Sequence, residues 1–96
     1  MRHQDLQQAL QIFNLPLRAT LREIKARHRL LVKRHHPDLG AGDTEQIRQV
    51  NAAYRLLLDY CANYRFCFTR EEFFEQNPEE RLREQFAPFG MGDRDG

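Results

Sequence analysis

Between Thr20 and Pro37 the chain reads TLREIKARHRLLVKRHHP, and both ends of that stretch carry a signal. Thr20 followed by Glu23 is a capping box. The hydroxyl can accept from the backbone of residue 23 while the glutamate reaches back to the backbone of residue 20. The spacing therefore predicts a helix beginning at about Leu21. Pro37 has no backbone donor and disfavours helical geometry in the residue before it, so the helix must stop there. Laid out in steps of about 100°, Leu21, Ile24, His28, Leu31 and His35 share one side. Arg22, Lys25, Arg29 and Lys33 share the opposite side. One face needs an apolar partner; the other must stay in water, because lone buried cations are too costly. Lys33, Arg34, His35 and His36 crowd the last turn, where positive charge suits the helix dipole.

The apolar partner follows at once. LGAGD is a short loop, and Asp43 with Gln46 makes a second helix start. TEQIRQVNAAYRLLLDYCANY then places Ile47, Val50, Tyr54, Leu57 and Cys61 in a stripe at helical spacing. Two helices joined by a short loop pack antiparallel with their stripes together. Ahead of them, DLQQALQIFNL puts Leu6, Ala9, Leu10 and Phe13 on one side, with Asp5 as a cap or first-turn acid. Asn14, Leu15 and Pro16 close that segment, which can seal the core across the ends of the pair. The expectation is an all-α fold, an antiparallel helical hairpin with a short first helix, over residues 4–66.

Beyond Asn63 the pattern changes. YRFCF alternates aromatic with other residues and reads as an extended piece with no strand partner in sight. Thr69 with Glu72 is another capping box, and Asn77, Pro78 and Glu80 mark one more helix start. Phe73, Phe74, Leu82 and Phe86 are the side chains expected to be buried there. A short helical C-terminal extension over residues 67–90 and a frayed tail over 91–96 complete the expected organisation.

Several function classes fall away. A chain of 96 residues has room for one modest core. No apolar run approaches the roughly 20 residues that cross a bilayer, and MRHQDLQQAL lacks the apolar centre of a secretion signal. A cytoplasmic monomer without a membrane partner is expected. Cys61 and Cys67 read as packing thiols. His28 and His35 lie two turns apart, too far to share an ion easily, so no metal and no cofactor are expected. His36 and Asp38 flank Pro37, which lets their side chains diverge. No nucleophile elbow, phosphate loop or paired-carboxylate cleft is visible. The expectation is a non-enzyme with no catalytic residues and no small-molecule substrate.

Charge points to a macromolecular partner. The formal net charge of +1 hides an uneven distribution. Over residues 18–38, Arg18, Arg22, Lys25, Arg27, Arg29, Lys33 and Arg34 face only Glu23 and Asp38, which leaves +5. Residues 69–96 carry Arg70, Arg81, Arg83 and Arg94 against Glu71, Glu72, Glu75, Glu79, Glu80, Glu84, Asp93 and Asp95, which leaves −4. A cationic row can be a merely solvated face, but this one exceeds what solubility requires. It suits an acidic protein surface. The alternative is a nucleic-acid-binding helical module using the same face on a phosphate backbone. Near-neutral overall charge disfavours nucleic acid, as does the lack of Asn, Gln or Ser to read base edges.

The three segments EIKARHRLLVKRH, HPD and IRQVNAAYRLLLD, in that order, resemble the J domain of DnaJ-type co-chaperones. His36-Pro37-Asp38 matches that family's signature tripeptide, and VNAAYRLL is similar to its INEAYEVL segment. The resemblance spans about residues 4–60. It implies a co-chaperone that docks on a DnaK-type (heat-shock protein 70 class) chaperone in its ATP state and stimulates ATP hydrolysis there. It further implies that Lys25 and Arg29 are basic contacts on an acidic patch, with Arg22 and Lys33 extending the row. His36, Pro37 and Asp38 would reach the junction of the partner's ATPase lobe and interdomain linker, where Asp38 would pair with an arginine. The chain departs from the family pattern in places. His28 and His35 stand where tyrosine is common, Leu30 where a basic residue is, and Lys33 where an apolar one is. Leu39 follows the tripeptide where many members carry a polar residue. YCANYRFCF replaces the usual DPxKRxxYD ending, so the family's fourth helix is expected to be fused into the third or lost. Two readings of residues 69–96 stay open. They can cover core through Phe73, Phe74 and Phe86, or fold an acidic face over the cationic helix and compete with the chaperone.

Overall fold

The structure is a computed structural model that describes residues 1–35 and 44–86. Five helices occur among them: α1 (His3–Phe13), α2 (Leu21–Arg34), α3 (Thr44–Ala62), α4 (Arg70–Gln76) and α5 (Pro78–Gln85). No strand is present among the described residues, so the fold is all-α as expected. The chain divides into two compact units, Met1–Tyr64 and Arg65–Gly96.

In the first unit the local signals act as physics requires. Glu23 N donates to Thr20 Oγ1 at 3.1 Å, and Thr20 N donates to Glu23 Oε1 at 2.7 Å, so the capping box of α2 closes from both sides. At the start of α1, Arg2 N donates to Asp5 Oδ2 at 3.1 Å, which makes Asp5 a first-turn acid. The end of α1 is sharper than Pro16 alone requires. Asn14 adopts the left-handed conformation, φ 51°, a region that its short polar side chain tolerates. Leu15 N then reaches back to the Leu10 carbonyl at 3.1 Å and satisfies one of the helix's orphan acceptors.

The core draws Ala9 and Phe13 from α1, Ile24 and Leu31 from α2, and Val50, Ala53 and Leu57 from α3. Among the described residues Phe13 and Val50 are the most deeply buried large side chains. Both α1 and α2 pack on α3, which is why α3 carries the longest apolar stripe. One residue departs from the expected stripe. Leu21 is 45% exposed, because the core meets α2 from Ile24 onward and Leu21 stands a turn before it.

The second unit departs further. Thr69 Oγ1 accepts from Glu72 N at 3.2 Å, but the Glu72 carboxylate turns to Gln76 Nε2 at 3.0 Å, so only half of this capping box forms. Pro78 opens α5 as expected. Asn77 does not cap it with its side chain; Asn77 Nδ2 donates to the Phe73 carbonyl at 3.0 Å and closes α4 instead. Phe74 is buried, with the Arg70 and Arg81 guanidinium carbons 4.9 and 5.0 Å from its ring centre, and Arg70 is paired with Glu84. Phe73, Leu82 and Phe86 were expected to be buried, yet they are 50%, 55% and 75% exposed. Two helices of this length can enclose a single ring and little more. Residues 64–68 belong to neither helix nor strand, and α3 stops at Ala62. Asp43 and the tail 91–96 lie outside the described residues.

Candidate functional site

Ile24 and Leu31 set the rotation of α2. Because they are buried on one side, Arg22, Lys25, Arg29 and Lys33 come out together on the other, all four exposed. The structure thus brings these four predicted site residues onto one face. Glu23, the acid of α2, is held at the Thr20 cap, so it does not neutralise the row. Among the described residues none of the four cations is ion-paired. The row therefore keeps its field for whatever meets it, within a screening length of about 8–10 Å at ordinary ionic strength. Leu30, more than half exposed, stands beside Arg29 and gives the surface an apolar element.

Arg27 is a cation that sequence reasoning counted without giving it a role. It is half-buried, and its Nη1 donates to the Phe13 carbonyl at 3.1 Å and, more weakly, to the Asn14 carbonyl at 3.5 Å. Those oxygens belong to the C-terminal turn of α1, where carbonyls lack helical partners and the dipole is negative. Arg27 ties α2 to the end of α1 and is not available to a partner. Its place, three residues after Ile24 and beside His28, was the available signal: it sits on the margin of the apolar stripe.

His28 likewise serves the fold. Its ring stacks on Tyr54 with centroids 3.7 Å apart and planes within 4°, and Phe13 lies parallel at 6.3 Å. Its Nε2 lies 3.1 Å from Asn51 Oδ1. Stacking plus a polar link across the α2–α3 contact is the work of an interhelical anchor. His35 caps α2, half-buried, with its backbone N–H on the Leu31 carbonyl at 3.0 Å. His36, Pro37, Asp38 and Leu39 lie outside the described residues; the helix leading to them is described up to His35.

Among the described residues no three His, Cys, Asp or Glu side chains gather as metal ligands. Cys61 is half-buried and Cys67 exposed, both as free thiols. No helix among them is long and apolar enough to cross a membrane. An open cleft of about 570 Å³ in the second unit is lined by Arg70, Glu71, Phe74, Arg81, Glu84 and Gln85, and Glu84 is paired with Arg70 there.

Relatives bear on this surface. A family model described as the DnaJ domain matches residues 8–64. The chain is similar to a chaperone protein DnaJ of Finegoldia magna, 34% identical over 61 residues, covering 60% of this chain and 16% of the relative. It is 40% identical over 48 residues to a DnaJ-like protein, the MG002 homolog of Mycoplasma pneumoniae, covering 50% of this chain and 16% of the relative. It is also 44% identical over 52 residues to an uncharacterized 19.0 kDa protein of Sinorhizobium sp, covering 51% of this chain and 30% of the relative. The chain thus spans between 16% and 30% of the length of these relatives. No solved structure matches.

Proposed function

This chain belongs to the DnaJ-domain family, and on that premise we propose that it is a co-chaperone that docks on a DnaK-type (heat-shock protein 70 class) chaperone and stimulates its ATP hydrolysis. The observation that carries the reading is the exposed row Arg22, Lys25, Arg29 and Lys33, without an ion pair among the described residues, which leads in sequence directly to His36-Pro37-Asp38. Cations on one rigid helix face speed encounter with an acidic surface and fix its register. Asp38 then adds a single carboxylate at the end of a cationic run. Pairing it with an arginine where the partner's ATPase lobe meets its interdomain linker gives a charge-assisted, orienting contact. Hydrolysis takes place in the partner's own site, so this chain supplies no catalytic group. Lys33 lengthens the cationic row and Leu30 offers an apolar contact, two departures that tune affinity for a particular chaperone. The co-chaperone module is residues 4–66, followed by the extension 67–90.

Single-turnover ATP hydrolysis by a DnaK-type chaperone, with and without the chain, tests this. Wild type should accelerate hydrolysis at least about tenfold, equivalent to roughly 1.4 kcal/mol off the barrier. Asp38→Asn, nearly isosteric, should lose the acceleration while the far-ultraviolet circular dichroism stays unchanged. Lys25→Ala with Arg29→Ala should raise the half-maximal concentration about tenfold at low salt and less at high salt. A wild-type chain that leaves hydrolysis unchanged at saturating concentration overturns the reading. Salt-sensitive submicromolar binding to oligonucleotides through the same row would then assign the face to nucleic acid.

A further inference from the structure

We infer that Leu30 determines which acidic surface the chain accepts: it meets an apolar side chain set among the carboxylates that receive the cationic row. The inference rests on the co-chaperone reading and goes beyond it, because it states what the partner's acidic surface contains. A leucine alone on a surface is ordinary. Leu30 is placed differently. It is 57% exposed, while Leu31 beside it lies in the core, so Leu30 contributes little to the fold. At about 100° per residue, Lys33 falls to one side of it and Arg34 to the other, one turn on, and Arg29 directly precedes it. All three cations are exposed, and none is ion-paired among the described residues. One turn back, Ala26 is half-buried and Arg27 is held by the Phe13 carbonyl, so the apolar spot is not closed from that side by a fourth free cation.

A partner that engages Arg29 and Lys33 also covers Leu30, and water leaves it. What stands opposite decides the sign. A carboxylate held against an aliphatic side chain loses hydration and gains no hydrogen bond in return. An apolar side chain in the same place takes two apolar surfaces out of water together. Carboxylates around one apolar side chain therefore match Leu30 among its cations, and a uniformly acidic surface does not. The cations set encounter rate and register. Leu30 discriminates between one acidic surface and another, by gain against the matching surface and by loss against the rest.

The test reads the half-maximal concentration of the intact chain in single-turnover hydrolysis by a DnaK-type chaperone, at about 0.05 and 0.5 M salt. Leu30→Ala keeps a strong helix former in α2, so the helix is not weakened. It should raise the half-maximal concentration about fivefold at both salt concentrations, with the maximal rate unchanged, because salt screens charges and not apolar contact. Lys25→Ala with Arg29→Ala should lose most of its effect at the higher salt. Leu30→Arg is the second variant. It extends the cationic surface, so a uniformly acidic partner would hold it more tightly at low salt, whereas an apolar side chain opposite should weaken it about tenfold. Tighter docking of Leu30→Arg overturns the inference, and so does an unchanged half-maximal concentration for Leu30→Ala. Either result leaves the co-chaperone reading standing, since wild type still stimulates and the Lys25 and Arg29 variant still reports docking. A wild-type chain without stimulation overturns that reading, and this inference with it.

Discussion

Arg27 and His28 are adjacent, sit among the cations of α2, and are half-buried where α2 meets its neighbouring helices. Arg27 reaches the carbonyls that end α1, and His28 stacks flat on Tyr54 with Asn51 at its Nε2. The first unit's tertiary arrangement thus hangs partly on two polar side chains, one of which, Arg27, the sequence offers only as another cation of α2. His28→Ala removes the stack and leaves Asn51 Oδ1 to water. A loss of about 1–2 kcal/mol follows from the aromatic contact and the hydrogen bond together. For a unit of this size the Tm should fall by roughly 5–15 °C. Thermal unfolding followed by circular dichroism reads it, and an unchanged Tm means the stack contributes nothing. That His28 lies on the core side was legible from its spacing with Ile24 and Leu31. Its partners Asn51 and Tyr54 were not, because they lie on another helix.

Helix starts differ in strength although their sequence signals look alike. At Thr20 both halves of the capping box form; Arg27, one turn on, is held by the Phe13 carbonyl and leaves Glu23 to the cap. At Thr69 the glutamate has a competitor one turn on, the Gln76 amide, and the reciprocal bond is not made. Thr20→Ala should therefore cost about 1 kcal/mol, within the range for N-cap removal. In urea unfolding the midpoint should shift with no change in slope. No shift would mean that α2 is held by its packing on α3 alone. Asn77 shows the same limit of local reading. Its sequence position suits a cap for α5, yet its amide is taken by α4.

Across the whole chain the near-neutral total conceals a cationic part and an acidic part. Ending the chain after Phe68 changes the formal net charge from +1 to +5. Long-range steering toward an acidic chaperone then strengthens without any new contact. Stopped-flow association with a DnaK-type chaperone should be several-fold faster for the shortened chain at low salt, and equal to wild type near 0.5 M salt, where the screening length is about 4 Å. Equal rates at low salt would show that residues 69–96 exert no field at the docking face. Helix positions, their termini and the cationic row of α2 were determined by the sequence, because capping, proline geometry and a period of 3.6 act within a turn or two. Which apolar side chains found cover was decided only by the tertiary structure. Three helices converge on Phe13 and Val50 and exclude water, whereas α4 and α5 close over Phe74 and leave Phe73, Leu82 and Phe86 outside. Burial depends on how many elements meet at a side chain, and no local pattern contains that number.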